Sequence, residues 1–231
     1  MDLCWKKRIP KNEEFEDDGT WIWVSMAPEC RLVLSHSVGE RNRMMARELV
    51  TKTAERLASM PLFVTDGLRF YASALLEQYG QRIRFLPTGK RGRPRKDRLF
   101  PDEKLRYAQV IKVRQEGRLK EVVRRTIFGE AVEKKLISTS LIERLNLSMR
   151  QENNRISRKT IGFSKKIEGL KKQMNLYFAY YNFCRRHGSL KQINGAGKMK
   201  TCTPAKYLGL IDLNLTMNEL LAIPCYKRST D

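Results

Sequence analysis

The first 40 residues alternate short hydrophobic runs with turn residues, a pattern typical of strands. Residues 2–9 are short and mixed, residues 21–27 (WIWVSMA) are rich in aromatic and β-branched types, and residues 31–38 (RLVLSHSV) follow a Pro-Glu turn. Aromatic and β-branched side chains favour strands, and proline and glycine mark their ends. The pattern predicts three consecutive strands in an antiparallel meander.

The hydrophobic spacing then changes to that of helices. Residues 40–59 carry apolar side chains at helical intervals, a short apolar strand follows at 62–65, and residues 68–79 form a second helix. A crossover helix allows the fourth strand to run parallel beside the first. An acid on the first strand and an acid at the end of the fourth would then meet at one edge of the sheet.

The pattern is interrupted by residues 88–98 (TGKRGRPRKDR), which contain two glycines, one proline and six basic residues. Such a composition predicts a mobile basic loop. Residues 105–128 are predicted to form a β-hairpin, residues 130–157 a mostly helical segment, and residues 164–187 a further helix. We interpret residues 188–202 as a Gly/Lys-rich loop that precedes a short helix and a weakly specified tail.

The charge of the chain indicates an anionic partner. Lys and Arg total 46 against 25 Asp and Glu, which gives a net charge of +21. Nucleic acid is the first candidate for such a partner, and an anionic membrane surface is the second. No apolar run approaches the roughly 18–20 residues of a membrane span, and the N-terminus lacks the apolar core of a signal peptide. We therefore expect a cytoplasmic, nucleoid-associated protein without a membrane partner.

Several common kinds of site are disfavoured by the sequence. The five cysteines are widely spaced without a CxxC pair, and His36 and His187 have no partner at metal-ligand spacing. This argues against a zinc site, a disulfide framework and a Ser/His hydrolase. A glycine-rich phosphate loop is also missing from the sequence.

Three acids are candidate metal ligands. Asp66 directly follows the strand at 62–65, Glu143 lies early on a helix with one apolar face, and Asp2 would lie on the first strand. Hard divalent cations prefer carboxylate oxygens, and two ions about 4 Å apart support phosphodiester displacement. Each acid also has an ordinary alternative: an Asp-Gly turn at Asp66, and solvated surface positions for Glu143 and Asp2.

Basic and amide side chains form two candidate DNA-binding segments. The Gly-Arg-Pro core of residues 90–96 is thin enough to lie in the minor groove of A·T-rich DNA, although a solvated basic loop is the alternative. The residues that follow Glu143 would position backbone phosphates. The candidate DNA-binding residues are Lys90, Arg91, Arg93, Arg95, Lys96, Arg144, Asn146, Arg150, Arg155, Arg158 and Lys159.

A set of motifs follows one another along the chain: W-I-W-V, R-L-V-L, V-G-E-R, T-D-G-L-x-x-Y, I-E-R-L-N-L-x-x-R, R-K-T-I-G-F-S-K-K, Y-Y-N-F-C-R-R-H-G-S-L and T-P-A-K-Y-L-G-L. In these motifs the chain resembles the DDE transposases of bacterial and archaeal insertion sequences, in the group typified by the first insertion sequence described. The resemblance spans nearly the whole chain. It implies an RNase H-like α/β fold, in which three antiparallel strands and then parallel strands form a mixed sheet flanked by helices.

The resemblance also divides the chain into four parts. Residues 1–87 form the first part of the catalytic domain, residues 88–129 an inserted basic loop and β-hairpin, residues 130–190 the second part with the Glu helix, and residues 191–231 a C-terminal tail. Relative to the family pattern, the chain begins inside the first strand without the usual N-terminal DNA-binding region. We interpret it as a truncated copy or as the catalytic half of a longer protein.

The activity that the resemblance implies is metal-dependent cleavage and strand transfer at insertion-sequence ends. The family's Asp, Asp and Glu bind two Mg²⁺ or Mn²⁺ ions, and Asp66 in T-D-G and Glu143 in I-E-R match the second and third positions. Asp2 takes the first position, with Trp5 at the family's spacing but Leu3 in place of a Glu. The implied partners are double-stranded DNA at the element ends and target, and further copies of the chain in a homodimer or higher oligomer. The alternatives are a catalytically inactive DNA-binding remnant and an RNA-binding module.

Overall fold

The computed structural model divides the chain into two compact units. The described residues are 19–85, 96–157, 161–162, 164–193 and 197–224. As far as they are described, the N-terminal unit contains Met1–Ser25 and Ser35–Phe163, and the C-terminal unit contains Met26–Leu34 and Ser164–Asp231. A hairpin of two strands, β1 (Trp21–Ala27) and β2 (Leu32–Gly39), carries the chain from the first unit into the second and back.

The elements that follow β2 agree with the predicted order. They are α1 (Arg43–Ala54), β3 (Leu62–Asp66) and α2 (Phe70–Tyr79). Gly80 then begins β4 (Gly80–Ile83), which pairs antiparallel with β5 (Arg98–Pro101). Most of the predicted basic loop and the strand predicted at 2–9 lie outside the described residues.

The sheet of the N-terminal unit is mixed, and its central strand comes from the predicted hairpin. That hairpin consists of β6 (Arg106–Gln115) and β7 (Arg118–Phe128), and the strand order is β3-β6-β7. The β3–β6 pair is parallel, from Leu62 opposite Arg106 to Asp66 opposite Val110, and the β6–β7 pair is antiparallel. A mixed α/β architecture is therefore confirmed. The hairpin, which was expected as an insert, shares this sheet with the strand that ends at Asp66.

The core of the N-terminal unit joins α1 and α2 to strand residues. Met45, Leu49 and Thr53 repeat every four residues along α1 and are buried, as expected for one face of a helix. The ring of Trp23 meets that of Tyr71 edge-on, with the centroids 5.7 Å apart. The buried residues of this cluster are Trp21, Trp23, Met45, Ala46, Leu49, Val50, Phe63, Tyr71, Ala74, Leu75, Leu105 and Tyr107.

The segment after β7 is less helical than predicted. Residues 130–157 contain a single 3₁₀ turn at Lys134–Leu136 and the helix α3 (Ser140–Glu152). Ile137, between them, is buried in a second cluster with Ala108 and Val110 of β6. This packing fixes the start of α3 against the sheet.

The C-terminal unit contains helices and a small hairpin. Its elements are α4 (Ile167–Phe183), β8 (His187–Ile193), β9 (Met199–Cys202), α5 (Pro204–Tyr207) and α6 (Met217–Ala222). The prediction of a loop at 188–202 was wrong, because β8 and β9 pair antiparallel. Among the residues that the structure describes, no helix has both the length and the apolar character to cross a membrane.

Substitution of Asn42 by Ala is expected to lower the free energy of unfolding by about 1 kcal/mol. The Asn42 Oδ1 accepts a hydrogen bond from the backbone N–H of Met45 at 2.9 Å and so caps α1. Urea unfolding of the Ala variant measures the loss. The variant Asn42→Asp keeps an acceptor oxygen and serves as the control, so an equal loss in both variants would contradict a capping role.

Candidate functional site

A pocket of about 670 Å³ lies at the carboxyl end of β3, within the N-terminal unit. Its walls come from the turn between β3 and α2, from β6, and from the start of α3. The polar and charged side chains that line it are Arg41, Asp66, Arg69, Lys112, Thr139 and Glu143. Two acids and three bases thus share one small cavity.

Asp66 is the last residue of β3 and turns into this pocket from the end of the strand. One carboxylate oxygen accepts a hydrogen bond from the backbone N–H of Leu68 at 2.8 Å. Burial raises the pKa of Asp66 to about 6, and the hydrogen bond from Leu68 only partly opposes this rise. A Cβ on Gly67 would lie 3.2 Å from Ile111, so the T-D-G turn leaves little room for a larger residue.

Glu143 lies in the first turn of α3 and is held by two donors. The ammonium of Lys112 donates to both carboxylate oxygens at 2.6 Å, and the hydroxyl of Thr139 donates to one of them at 2.7 Å. Burial alone would raise the pKa of Glu143, but the hydrogen bonds from Lys112 and Thr139 and the charge of Lys112 outweigh it and lower the pKa. Glu143 is therefore ionised at neutral pH, while Asp66 ionises only above about pH 6.

The two arginines of the pocket stack on aromatic rings. The guanidinium of Arg41 lies 4.7 Å from the centre of the Trp21 ring, and that of Arg69 lies 5.3 Å from the centre of the Phe70 ring. Such stacking restrains a cation without neutralising it. With Lys112, three positive charges face two carboxylates, which suits a ligand that carries phosphate groups.

A buried hydrogen-bond chain supports the backbone at Asp66. The Thr65 hydroxyl donates to the Asp66 carbonyl at 2.8 Å, and the same hydroxyl lies 2.7 Å from the Tyr107 hydroxyl. Since Thr65 has one hydroxyl proton, Tyr107 is the donor in that second bond. The side-chain amide of Gln109 donates to Tyr107 at 2.8 Å. The chain thus runs from Gln109 through Tyr107 and Thr65 to the peptide of Asp66.

Asp66 and Glu143 line the same pocket, whereas the predicted DNA contacts differ in their exposure. Asn146, a predicted DNA contact, is only 5% exposed and lies on the buried face of α3. Arg144, Arg155 and Lys96 are exposed, and Arg150 is half-buried. The predicted residues outside the described part of the chain are Asp2, Lys90, Arg91, Arg93, Arg95, Arg158 and Lys159.

Sequence reasoning missed Lys112 and Tyr107 as members of the site. Both lie on β6, the central strand of its sheet, in which Tyr107–Val110 are buried. What brings them to the site is the parallel pairing of β3 with β6, for which the sequence carries no local signal. This pairing places the residues just after Val110 beside the end of the strand that carries Asp66.

The donor chemistry of this pocket fits a hard divalent cation. Mg²⁺ is commonly bound by one or two carboxylates together with waters and substrate phosphates, and Asp66 and Glu143 supply two carboxylates. Within the described ranges, no group of three or more His, Cys, Asp or Glu residues is arranged to hold a metal ion. A third protein ligand such as Asp2 would come from outside those ranges.

Comparison with known proteins found no match for this chain among protein-family models, curated proteins or solved structures. The interpretation of the pocket therefore depends on its own residues and on the sequence motifs that include them.

Proposed function

We propose that the chain is a DNA transposase of the DDE type, which cleaves insertion-sequence ends and joins them to target DNA with Mg²⁺ or Mn²⁺. One observation carries the proposal: Asp66 and Glu143, separated by 77 positions (143 − 66), line a single pocket with three basic side chains. Acids that converge from distant parts of a chain are what metal-assisted phosphoryl transfer requires. Arginine and lysine beside them suit a phosphodiester substrate.

The fold gives further support. The parallel pair of β3 and β6, with Asp66 at the end of β3 and Glu143 on α3, supports the RNase H-like fold that we propose. In this proposal Asp2 completes the triad. Double-stranded DNA is the partner at the element ends and at the target, and the chain acts as a homodimer or higher oligomer in the nucleoid.

Each residue of the pocket has a separate role in the proposed reaction. When bound, two divalent ions would activate a water or a 3′-hydroxyl and neutralise charge at the leaving oxygen. Asp66 and Glu143 hold them, and Asp66 does so best above about pH 6, where it is ionised. Arg41 and Arg69 face the scissile phosphate from their aromatic supports, and Thr139 orients Glu143.

The proposal is tested by incubating the full-length chain with supercoiled plasmid DNA. We expect nicked or linear products with Mn²⁺ or Mg²⁺ and none with EDTA. DNA binding is measured in parallel by fluorescence anisotropy, with a duplex DNA and an RNA of equal length. Binding of duplex DNA without cleavage at any Mn²⁺ concentration would instead identify a DNA-binding remnant, and a preference for RNA would identify an RNA-binding module.

A further inference from the structure

The ion pair between Lys112 and Glu143 occupies the carboxylate oxygens that the proposed reaction needs for a divalent ion. A single ammonium donates to both carboxylate oxygens at 2.6 Å, and Thr139 donates a third hydrogen bond. A carboxylate has about four acceptor positions, so most of them are already taken. A divalent ion that bound Glu143 would have to displace Lys112 first, because two cations cannot share those oxygens at contact distance.

The packing of β6 delivers Lys112 to this position. Ala108 and Val110 lie on the same face of β6 as Lys112, since side chains alternate along a strand. Both pack in the buried cluster with Ile137, just before α3. Lys112 is the next residue outward on that face and enters the pocket. The ammonium thus reaches Glu143 from a rigid strand.

We infer that Lys112 occupies the cation position of Glu143 in the DNA-free protein and moves to a backbone phosphate when DNA enters the pocket, which frees Glu143 for a divalent ion. The inference rests on the proposed function, because the divalent ion and the DNA are both taken from it. It also makes binding of DNA and of metal mutually favourable, because each removes an obstacle to the other.

The phosphate is the suitable new partner for Lys112. The pocket already presents Arg41 and Arg69, so three cations and two carboxylates line it, and an ammonium released from Glu143 favours a bound anion. Lysine binds phosphate oxygens well as a point charge. Exchange between two anions also has a low energetic cost here, because the Lys112 and Glu143 side chains are 38% and 44% exposed and water screens their attraction.

The metal half of the inference is tested by calorimetric titration of Mn²⁺ into the DNA-free protein. We expect Lys112→Met to bind Mn²⁺ about two- to fivefold more tightly than the wild type, which is the range for a partly exposed ion pair. Lys120→Met on β7 removes the same charge at an exposed position and is the matched control, with Mn²⁺ affinity near that of the wild type. In a Glu143→Gln background, Lys112→Met is expected to have no effect.

The DNA half is tested in EDTA by the salt dependence of binding to a short duplex. Loss of one phosphate contact in Lys112→Met should make the negative slope of log K against log salt concentration less steep by about 1. Circular dichroism checks that each variant folds, and Lys112→Arg should retain the slope of the wild type. Unchanged or weaker Mn²⁺ binding in Lys112→Met, or an unchanged salt slope, would overturn the inference.

These outcomes are separable from failure of the proposed function. A wild-type chain that never nicks DNA would remove the proposed reaction, yet the Mn²⁺ titration would still report whether Lys112 competes for Glu143. Conversely, metal-dependent nicking together with an unchanged Mn²⁺ affinity in Lys112→Met would retain the transposase proposal and reject the exchange.

Discussion

Replacing Glu143 by Gln is expected to lower the rate of metal-dependent plasmid nicking on the order of 10³-fold, or ~4 kcal/mol of transition-state stabilisation. Glutamine keeps the size of the side chain, and its one carbonyl oxygen still accepts from Thr139 or Lys112. It lacks the charge and the second oxygen that a divalent ion requires. The fold and the affinity for DNA should therefore survive while cleavage is lost.

The matched control for this variant is Glu133→Gln. Glu133 also forms an ion pair with a lysine, Lys135 at 2.6 Å, but it lies outside the pocket. Gel-based nicking assays at equal protein concentration should give full activity for Glu133→Gln. Equal rates for wild type and Glu143→Gln would show that the nicking does not depend on this pocket.

Replacing Asp66 by Asn is expected to raise the free energy of unfolding by about 2–3 kcal/mol at pH 7.5, while it abolishes cleavage. Burial raises the pKa of Asp66 from 3.8 to about 6 in the folded chain, so the native state binds this proton more tightly than the unfolded state. The stabilisation that this proton gives to the folded chain is complete below about pH 4 and is lost as the pH rises through 6. Asparagine avoids the cost of the buried charge and can still accept from Leu68.

Urea unfolding at pH 4, 5, 6 and 7.5 in EDTA measures this difference. The difference in the free energy of unfolding between Asp66→Asn and the wild type should be near zero at pH 4 and increase toward pH 7.5. Asp102→Asn is the control, because hydrogen bonds from Lys104 and Gln81 lower the pKa of Asp102, which is the opposite of the shift at Asp66. A gain at pH 7.5 in the control as well, or a pH-independent difference for Asp66→Asn, would show that burial of Asp66 is not the cause.

Local patterns in the sequence were sufficient for the elements from β1 to α2 and for the β6–β7 hairpin. Their signals are short-range: helical spacing in α1, β-branched residues in the strands, and Glu116-Gly117 at the hairpin turn. Strand pairing is a long-range property, so the sequence did not predict that β3 lies beside β6. The β8–β9 hairpin was missed because Leu190 is the one buried side chain in β8, which leaves almost no alternation to detect.

The site was predictable in part for similar reasons. Asp66 and Glu143 lie in motifs whose order along the chain is informative, whereas Lys112 lies among exposed charged residues near the end of a strand and looks like a solvated lysine. Its role depends on the packing of Ala108 and Val110 against Ile137. Asn146 was predicted as a DNA contact because its polarity indicated solvent, yet it is buried, as are Ile142 and Met149 on the same helix.

The passage of the chain through its C-terminal unit has a consequence for folding. Met26–Leu34 belongs to that unit, where Cys30 and Leu32 pack with Ala205, and the side-chain amide of Asn182 bonds the backbone N–H and carbonyl of Val33 at 2.9 Å each. Residues about 150 positions apart must therefore meet before the β1–β2 turn is supported, which is a slow, high-contact-order step. On a ribosome, that turn emerges long before its partners, and it remains unsupported until residues up to about 205 have been made.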